Sequence, residues 1–285
     1  LRAQERIRLL PQMPPGGGAG ASTAALVALA RLCAPDVGPD QVARACLAVE
    51  GASDPLMFRD PARLIWASRR GEVLGIGGLV GSGRTELALG MMGADRAHRK
   101  TVLRNGAPVR LDDPTQALSH GIGLLPESRK VQGLITDFTI RFNITLNNLG
   151  RHRRAGLVRE GAEKREAAEL ARRVGVKAPD LETRVATLSG GNQQKVVIAK
   201  SLVQEPDIVI FDEPTRGVDV GAIAEIHAEI NRLADAGKAV VVISSYLPEV
   251  MALSDRILVA KQGKVVTEFS ATEATQEAIM YAAIH

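Results

Sequence analysis

Two short stretches of the sequence combine residue types that suit phosphate chemistry. The octet Leu188-Ser-Gly-Gly-Asn-Gln-Gln-Lys195 places a serine and two glycines just before a helical run, so free backbone N–H groups and a hydroxyl can face an anion. The second stretch, Ile208-Val-Ile-Phe-Asp212-Glu213-Pro-Thr215, is an apolar strand that ends in two carboxylates. Such a pair suits a metal-held polyphosphate and a water molecule that is to be activated. The two stretches begin 20 residues apart, which is room for one helix and a turn.

A glycine-rich loop, Gly78-Leu-Val-Gly81-Ser-Gly-Arg84-Thr85, follows a predicted strand and opens a predicted helix. This is the context that a Walker A phosphate-binding loop requires. Arg84 stands where a lysine would reach the terminal phosphates; it keeps the charge but is longer, planar and forked. The alternative is a glycine-rich turn that binds no ligand. The residues expected to contact nucleotide or its magnesium here are Gly78, Gly81, Ser82, Gly83, Arg84 and Thr85.

The octet and the carboxylate strand together resemble the signature motif and the Walker B motif of ATP-binding cassette (ABC) proteins. Further segments narrow the resemblance: Arg70 to Leu87, Pro126-Glu-Ser-Arg-Lys130 with Gly133-Leu134, and Glu213 to Gly221. They resemble the ATP-binding subunit of ribose-, galactose- and xylose-type monosaccharide importers, in which one polypeptide carries two cassettes and these features mark the second. The resemblance covers residues 70–285, which is 216 of 285 residues.

The resemblance assigns roles to the acidic and signature residues. Asp212 would hold magnesium together with Thr85, and Glu213 would polarise the attacking water. Asp219 matches the D-loop, which links the two sites of a cassette dimer. Paired acids that cap the next helix are the alternative for Asp212 and Glu213, and simple helix capping is the alternative for the serine of the signature. The signature residues expected to contact a nucleotide held by the opposite cassette are Ser189, Gly190, Gly191 and Gln193.

Three positions depart from a fully active cassette. Arg84 replaces the Walker A lysine. Glu127 stands where many cassettes carry the Q-loop glutamine, and a carboxylate beside the γ-phosphate would repel it unless a metal is bound. Ser245 stands at the switch-histidine position and is, with Glu213, a candidate catalytic residue, although a serine cannot carry the charge of an imidazole. All three weaken the Walker side while the signature is intact, so we expect a degenerate half-site that donates a good signature to its partner.

The α/β alternation of strands and amphipathic helices begins at Arg70, and the resemblance implies a P-loop ABC cassette with a RecA-like core, an antiparallel β portion and a helical subdomain at roughly 134–190. Predicted strands cover 71–79, 121–125, 208–211 and 239–243. Hairpins are predicted to turn at Asn105-Gly106 and Gln262-Gly263. Residues 138–186 are predicted to be mostly helical.

The first 69 residues lack a convincing strand ladder. Phe58 and Trp66 are the aromatic candidates for stacking on adenine, and filling a small core is the equal alternative. Because the family pattern begins abruptly at Arg70, we hypothesise that residues 1–69 are a divergent segment from a truncated or frame-shifted front end, ahead of a cassette at 70–285. Translating the other two reading frames would test this.

Composition is that of an ordinary globular protein, with 45% hydrophobic and 24% charged residues. The net charge of +4 permits an anionic partner without demanding one. Cys33 and Cys46 define no disulfide framework, so a reducing cytosol is expected. No apolar run reaches about 18 residues, so any membrane link would pass through a partner. The basic run at 151–154 lacks interleaved aromatics, and we expect no nucleic-acid partner.

The favoured function is therefore an ATP- and Mg²⁺-dependent ATPase cassette that powers sugar import. It would lie in the cytoplasm on the inner face of the membrane. Its expected partners are a second cassette (a homodimer or the tandem first cassette), transmembrane permease subunits and, indirectly, a periplasmic sugar-binding protein. A non-hydrolytic regulatory module of the same fold is the alternative, which Glu213 argues against. A cassette that acts on ribosomes or DNA is a third, and the inserts or arms usual in that class are missing.

Overall fold

The structure, a computed structural model, describes residues 70–94, 100–104, 107–154 and 157–285. The expectations for residues 1–69, including Phe58 and Trp66, lie outside these ranges, as does the predicted Asn105-Gly106 turn. The described residues of 70–102 and 110–285 belong to the larger of two compact units, and residues 103–104 and 107–109 belong to the smaller.

Strands and helices alternate through the described residues. In chain order the elements are β1 (Val73–Gly78), α1 (Arg84–Met92), β2 (Val102–Arg104), β3 (Ala107–Val109), α2 (Pro114–Ser119), β4 (Ile122–Leu125), α3 (Ile140–Thr145), β5 (Arg153–Arg154), β6 (Leu157–Val158), α4 (Glu160–Arg173), α5 (Gly190–Leu202), β7 (Ile208–Asp212), α6 (Val220–Asp235), β8 (Ala239–Ile243), α7 (Leu247–Leu253), β9 (Arg256–Lys261), β10 (Lys264–Ser270) and α8 (Gln276–Ile284).

A six-stranded sheet in the order β10-β9-β1-β8-β7-β4 forms the centre of the larger unit. Five strands are parallel, and β10 pairs antiparallel with β9. All residues of β1 and β8 are buried, as expected for parallel strands covered on both faces. The carboxyl ends of β1, β4, β7 and β8 therefore lie on the same edge of the sheet.

The helical region packs α3, α4 and α5 around buried aliphatic side chains such as Ile140, Ile144 and Val196. A buried carboxylate supports this packing: Glu163 accepts a 2.7 Å hydrogen bond from Thr145 and pairs with Arg141 at 2.8 Å. In the described residues, no helix combines the length and the apolar character needed to cross a membrane.

The predicted secondary structure is confirmed for most of the sheet and for the helical region. The hairpin of β9 and β10 turns through Gln262 and Gly263, both with positive φ, as predicted. Residues 138–186 are mostly helical as predicted, through α3, a 3₁₀ helix at Leu146–His152 and α4, with the short hairpin of β5 and β6 between the last two. The chain leaves α4 through Gly175, whose φ of 68° is left-handed.

The packing around β1 leaves no room for a side chain at Gly75. A Cβ at this position would lie 2.2 Å from Ser254 Oγ and 2.6 Å from Val250 Cγ1. We expect Gly75→Ala to lower the free energy of unfolding by about 1–3 kcal/mol in urea titrations, because the core must shift. The matched control is Gly161→Ala in α4, where a Cβ would meet nothing nearer than 4.0 Å. It should raise stability by about 0.5–1 kcal/mol; equal effects of the two substitutions would contradict the packing.

Candidate functional site

The predicted phosphate-side residues follow the carboxyl ends of four neighbouring parallel strands. The glycine-rich loop follows β1, Glu127 follows β4, Asp212 and Glu213 stand at the end of β7, and Ser245 follows β8. Ligands of open parallel sheets bind in crevices at this edge. The sheet order thus brings together residues that are up to 167 positions apart, from Gly78 to Ser245.

The loop between β1 and α1 depends on glycine at defined points. Gly81 and Gly83 have φ of 80° and 93°, a left-handed conformation that favours glycine. A Cβ on Gly78 would lie 2.3 Å from the carbonyl oxygen of Ala260, so that position excludes any side chain. The hydroxyl of Ser82 is buried without a hydrogen-bond partner among the described residues. The loop therefore has a polar interior and leads into the N-terminus of α1, as an anion-binding loop requires.

Arg84 lies inside this loop and is almost fully buried. Its Nη1 donates to the carbonyl oxygens of Gly78 and, at 3.2 Å, of Ser244, and its Nη2 lies 3.7 Å from Glu213 Oε1. Burial lowers the pKa of the guanidinium, while the nearby carboxylates of Glu213 and Asp212 oppose that effect. The side chain is folded back onto the loop's own backbone, so it holds three strand ends together.

Asp212 and Thr85 present the donors that a magnesium ion prefers. The carboxylate is 2% exposed, and its Oδ1 has no hydrogen-bond partner among the described residues. The hydroxyl of Thr85 lies near enough to this carboxylate to lower its pKa. Burial raises the pKa of Asp212 to about 6, with Glu127 and Glu213 adding to the increase. An orphaned buried carboxylate oxygen beside a hydroxyl fits a hard divalent cation that would satisfy both.

Glu213 and Ser245, the two predicted catalytic residues, are in direct contact. The backbone N–H of Ser245 donates to Glu213 Oε1 at 2.7 Å, and its hydroxyl donates to Oε2 at 3.1 Å. Glu213 also adopts a positive φ of 49°, which is unusual for a residue with a side chain, while its N–H donates to Ile243 at 2.8 Å. Ser245 thus orients the carboxylate of Glu213 by two hydrogen bonds from uncharged donors. A histidine at this position would instead present an imidazole ring that can carry a positive charge.

Glu127 is not an isolated negative charge as the sequence suggested. Its carboxylate forms an ion pair with Arg216, which follows β7. The expected repulsion of a γ-phosphate is therefore reduced by a neighbouring cation, and a bound metal is not needed to balance the charge.

The signature residues lie at the start of α5. Ser189 caps the helix and accepts hydrogen bonds from the backbone N–H and side-chain amide of Asn192 at 3.4 and 3.2 Å. Gly191 packs against α6, since a Cβ there would lie 2.5 Å from the Cβ of Ala222. Gln193 is buried and donates to the carbonyl oxygens of Val185 and Leu188. Its side chain therefore supports the turn before the signature rather than facing solvent.

Asp219 stands at the N-terminus of α6 and makes no side-chain capping bond. Together with the signature it borders a surface cavity of about 220 Å³. Lys195 closes one side of this cavity, with its ammonium bound to Gly175 O at 2.9 Å and paired with Glu225. The D-loop and signature positions are thus neighbours, whereas Gln193 points into the protein.

Several residues of the site had no predicted role. Arg129 and Arg216 lie in the quoted motifs, but a motif alone does not say where an arginine reaches. Behind β7, Thr215 donates at 2.7 Å to the buried carboxylate of Glu249, whose same oxygen lies 3.0 Å from His227 Nε2. No sequence signal linked these three residues, which join the loop after β7 to α6 and α7.

A family model described as ABC transporter matches residues 63–216, more than half of the chain. The chain belongs to the ABC transporter family. The fold, the glycine-rich loop and the arrangement of strand ends described above are therefore those of an ABC cassette.

Curated relatives include two sugar-import proteins. The chain is 53% identical over 216 residues to the ribose import ATP-binding protein RbsA 2 of Burkholderia ambifaria, covering 75% of this chain and 43% of that protein. It is 46% identical over 217 residues to the xylose import ATP-binding protein XylG of Thermoanaerobacter pseudethanolicus, covering 76% of this chain and 43% of that protein. The chain thus spans less than half the length of either ABC protein.

Solved ABC structures share the fold. The cassette MJ0796, described as a dimer in a post-hydrolysis state bound to ADP and Pi, matches with a TM-score of 0.63 and 25% identity, covering 73% of this chain and 89% of that one. An ATP-binding subunit of an ABC transporter matches with a TM-score of 0.62 at 22% identity, covering 78% and 92% of the two chains. The predicted fold class is confirmed.

The raised pKa of Asp212 makes the stability of the metal-free ABC cassette depend on pH. The folded pKa of about 6 lies above the ordinary 3.8, so the bound proton stabilises the folded state at low pH, and this contribution is lost as the pH rises through 6. Asp212→Asn removes the buried charge. In EDTA we expect it to raise the free energy of unfolding by about 1–3 kcal/mol at pH 8, and by about half as much at pH 5. If Asp212→Asn changes the free energy of unfolding by the same amount at pH 5 and pH 8, the carboxylate of Asp212 is not desolvated.

Proposed function

We propose that this chain is an ATP-binding and ATP-hydrolysing cassette that powers import of a simple sugar through a separate membrane permease. The observation that carries the proposal is the convergence of a phosphate-type loop, a buried Asp212 and the Glu213–Ser245 pair at one sheet edge. Relatives named for ribose and xylose import support the substrate class. Because the chain spans less than half of each relative, we propose sugar import as the activity of a whole transporter to which this chain contributes.

Binding of ATP with Mg²⁺ would use residues from two strand ends. The loop from Gly78 to Thr85 offers backbone N–H groups to the phosphates, and Arg84 supplies a positive charge once its guanidinium leaves the carbonyl oxygens that now hold it. Thr85 and Asp212 would hold the magnesium ion, which neutralises charge on the phosphates. Glu213 would accept a proton from the attacking water, with Ser245 keeping its carboxylate in place.

The chain's own phosphate side is the weaker half of a shared site. The guanidinium of Arg84 is engaged by backbone oxygens, Glu127 is tied to Arg216, and Ser245 offers no imidazole. By contrast, Ser189 and Gly190 stand at a helix N-terminus suited to an anion presented from outside. We therefore propose that the signature serves a nucleotide held by a second cassette, in a homodimer or in a tandem subunit.

The same proposal places the chain in the cytoplasm, on the inner face of the membrane. Permease subunits would receive the motion of two cassettes that close on ATP and open after hydrolysis. A periplasmic sugar-binding protein would take part indirectly, through the permease.

Two substitutions distinguish the contribution of the signature from that of the phosphate side. Each is measured in a mixture of this chain with an intact first cassette of a related importer. Ser189→Ala should lower the ATP turnover of the mixture on the order of 100-fold, because a donor to the partner's nucleotide is lost. Glu213→Gln should leave that turnover within roughly twofold, because the partner's site performs the chemistry. Thr275→Ala controls for the lost helix cap, since Thr275 caps α8 in the same way at 3.1 Å.

The outcomes distinguish the rival functions. Turnover by the isolated chain at the rate of the mixture would contradict the donated signature. ATP binding with no turnover in either sample would favour a non-hydrolytic regulatory module. If the chain binds no nucleotide, the proposed function is wrong.

A further inference from the structure

Arg129 makes hydrogen bonds to two other segments of the chain. It lies in the segment after β4, two residues beyond Glu127. Its Nη1 and Nη2 donate to the carbonyl oxygens of Arg216 and Gly217, each at 2.8 Å. Its Nε donates to the side-chain oxygen of Gln193 at 3.4 Å. One guanidinium therefore contacts both the loop after β7 and the helix that begins with the signature.

Arg216 makes the reciprocal contact. Its guanidinium pairs with Glu127, so each of the two segments sends an arginine onto the other. We refer to Arg129, Arg216 and Glu127 as the arginine clamp. Arg129 and Arg216 hold the two segments through separate contacts. A shift of either segment would therefore break the contacts of at least one of these arginines.

The clamp lies directly against the signature. A Cβ added to Gly190 would lie 2.9 Å from Arg129 Nη2 and 2.9 Å from the carbonyl oxygen of Gly217. Gly190 is therefore required here by an intrachain contact, in addition to any contact with a nucleotide. The first turn of α5 rests on the guanidinium and on the carbonyl that the guanidinium holds.

We propose that Arg129 is a positioning residue for the signature, fixing the first turn of α5 to the loop after β7 and to the segment that carries Glu127. The inference rests on the proposed function, since the signature is taken to serve a partner's nucleotide. Through the clamp, a displacement of Glu127 changes the support under Gly190. The phosphate side of this chain and the signature that it donates are thereby mechanically linked.

The geometry explains why an arginine is needed. A guanidinium is planar and carries donors in a rigid fork, so it can contact adjacent carbonyl oxygens and a third acceptor at once. A lysine ammonium is a single point of charge on a flexible stem and cannot reproduce the spacing of three acceptors. Arg129→Lys therefore keeps the charge and loses the fork, which separates electrostatics from positioning.

The test uses Arg129→Ala, Arg129→Lys and the matched control Arg110→Ala. Arg110 is an exposed arginine paired with Asp112 at 2.9 Å, away from the clamp. In the mixture with an intact first cassette, we expect Arg129→Ala to lower kcat on the order of 10- to 100-fold, because the donated signature is misplaced. Arg129→Lys should recover part of that loss. ATP binding by the variant chain alone, read with a fluorescent ATP analogue, should match the wild-type chain and Arg110→Ala.

A second measurement does not depend on turnover. Hydrogen exchange on the isolated chain should show faster exchange in peptides that cover residues 188–193 and 215–219 in Arg129→Ala, with α8 unchanged. Unaltered exchange and unaltered kcat together would overturn the inference. If the wild-type mixture shows no turnover, the proposed function fails, and the exchange result alone still decides whether Arg129 holds the signature. A uniform increase in exchange across the chain would also overturn it, since it would indicate general destabilisation.

Discussion

A buried cation in the glycine-rich loop is the constraint on which the site depends. Arg84 has little contact with solvent, and removing its charge from water is unfavourable unless neighbours compensate. The compensation comes from the carbonyl oxygens of Gly78 and Ser244 and the carboxylate of Glu213, which belong to the ends of three different strands. The positions of β1, β7 and β8 at the site are therefore tied to a single guanidinium. The same guanidinium offsets part of the negative charge that Asp212 and Glu213 concentrate there.

The three departures from a fully active cassette have different local consequences. Arg84 is held by backbone oxygens, Glu127 is neutralised by Arg216, and Ser245 replaces a titratable ring by two neutral hydrogen bonds to Glu213. Each substitution leaves a stable arrangement in the absence of nucleotide. In the proposed function, the phosphate side thus lacks groups that favour hydrolysis while the packing around the signature is kept.

Sequence reasoning succeeded where the physics is local. The runs at 208–211 and 239–243 are continuous and apolar, and burial on both faces of a parallel sheet requires that pattern. Gln262-Gly263 is a turn pair because both residues adopt positive φ. The positions of Asp212, Glu213 and Ser245 then follow from the topology, because parallel strands end at one edge.

The sequence did not predict which side chains from distant parts of the chain contact each other. The pair of Glu127 and Arg216 joins residues 89 positions apart, and neither residue type indicates the other. Arg173 lies four residues after Glu169 on its own helix, yet it reaches the buried Glu229 on α6 at 3.4 Å. The resemblance to the signature motif predicts that Gln193 contacts a partner's nucleotide. Instead, its side-chain amide donates to two backbone carbonyl oxygens inside the protein. Such choices depend on the packing of elements and carry no periodicity.

The left-handed backbone of Glu213 has a consequence for how substitutions at this position should be interpreted. Glycine or asparagine would adopt a φ of 49° more readily, and a residue with a longer side chain stores strain on the order of 1 kcal/mol there. Replacing the glutamate by glycine would therefore relax the main chain while it deletes the carboxylate, and the two effects on folding would partly cancel. A glycine variant that is as stable as the parent would be no sign that the acid is dispensable. Glutamine, which keeps the strained backbone and changes the charge alone, isolates the chemistry of this residue from its conformation.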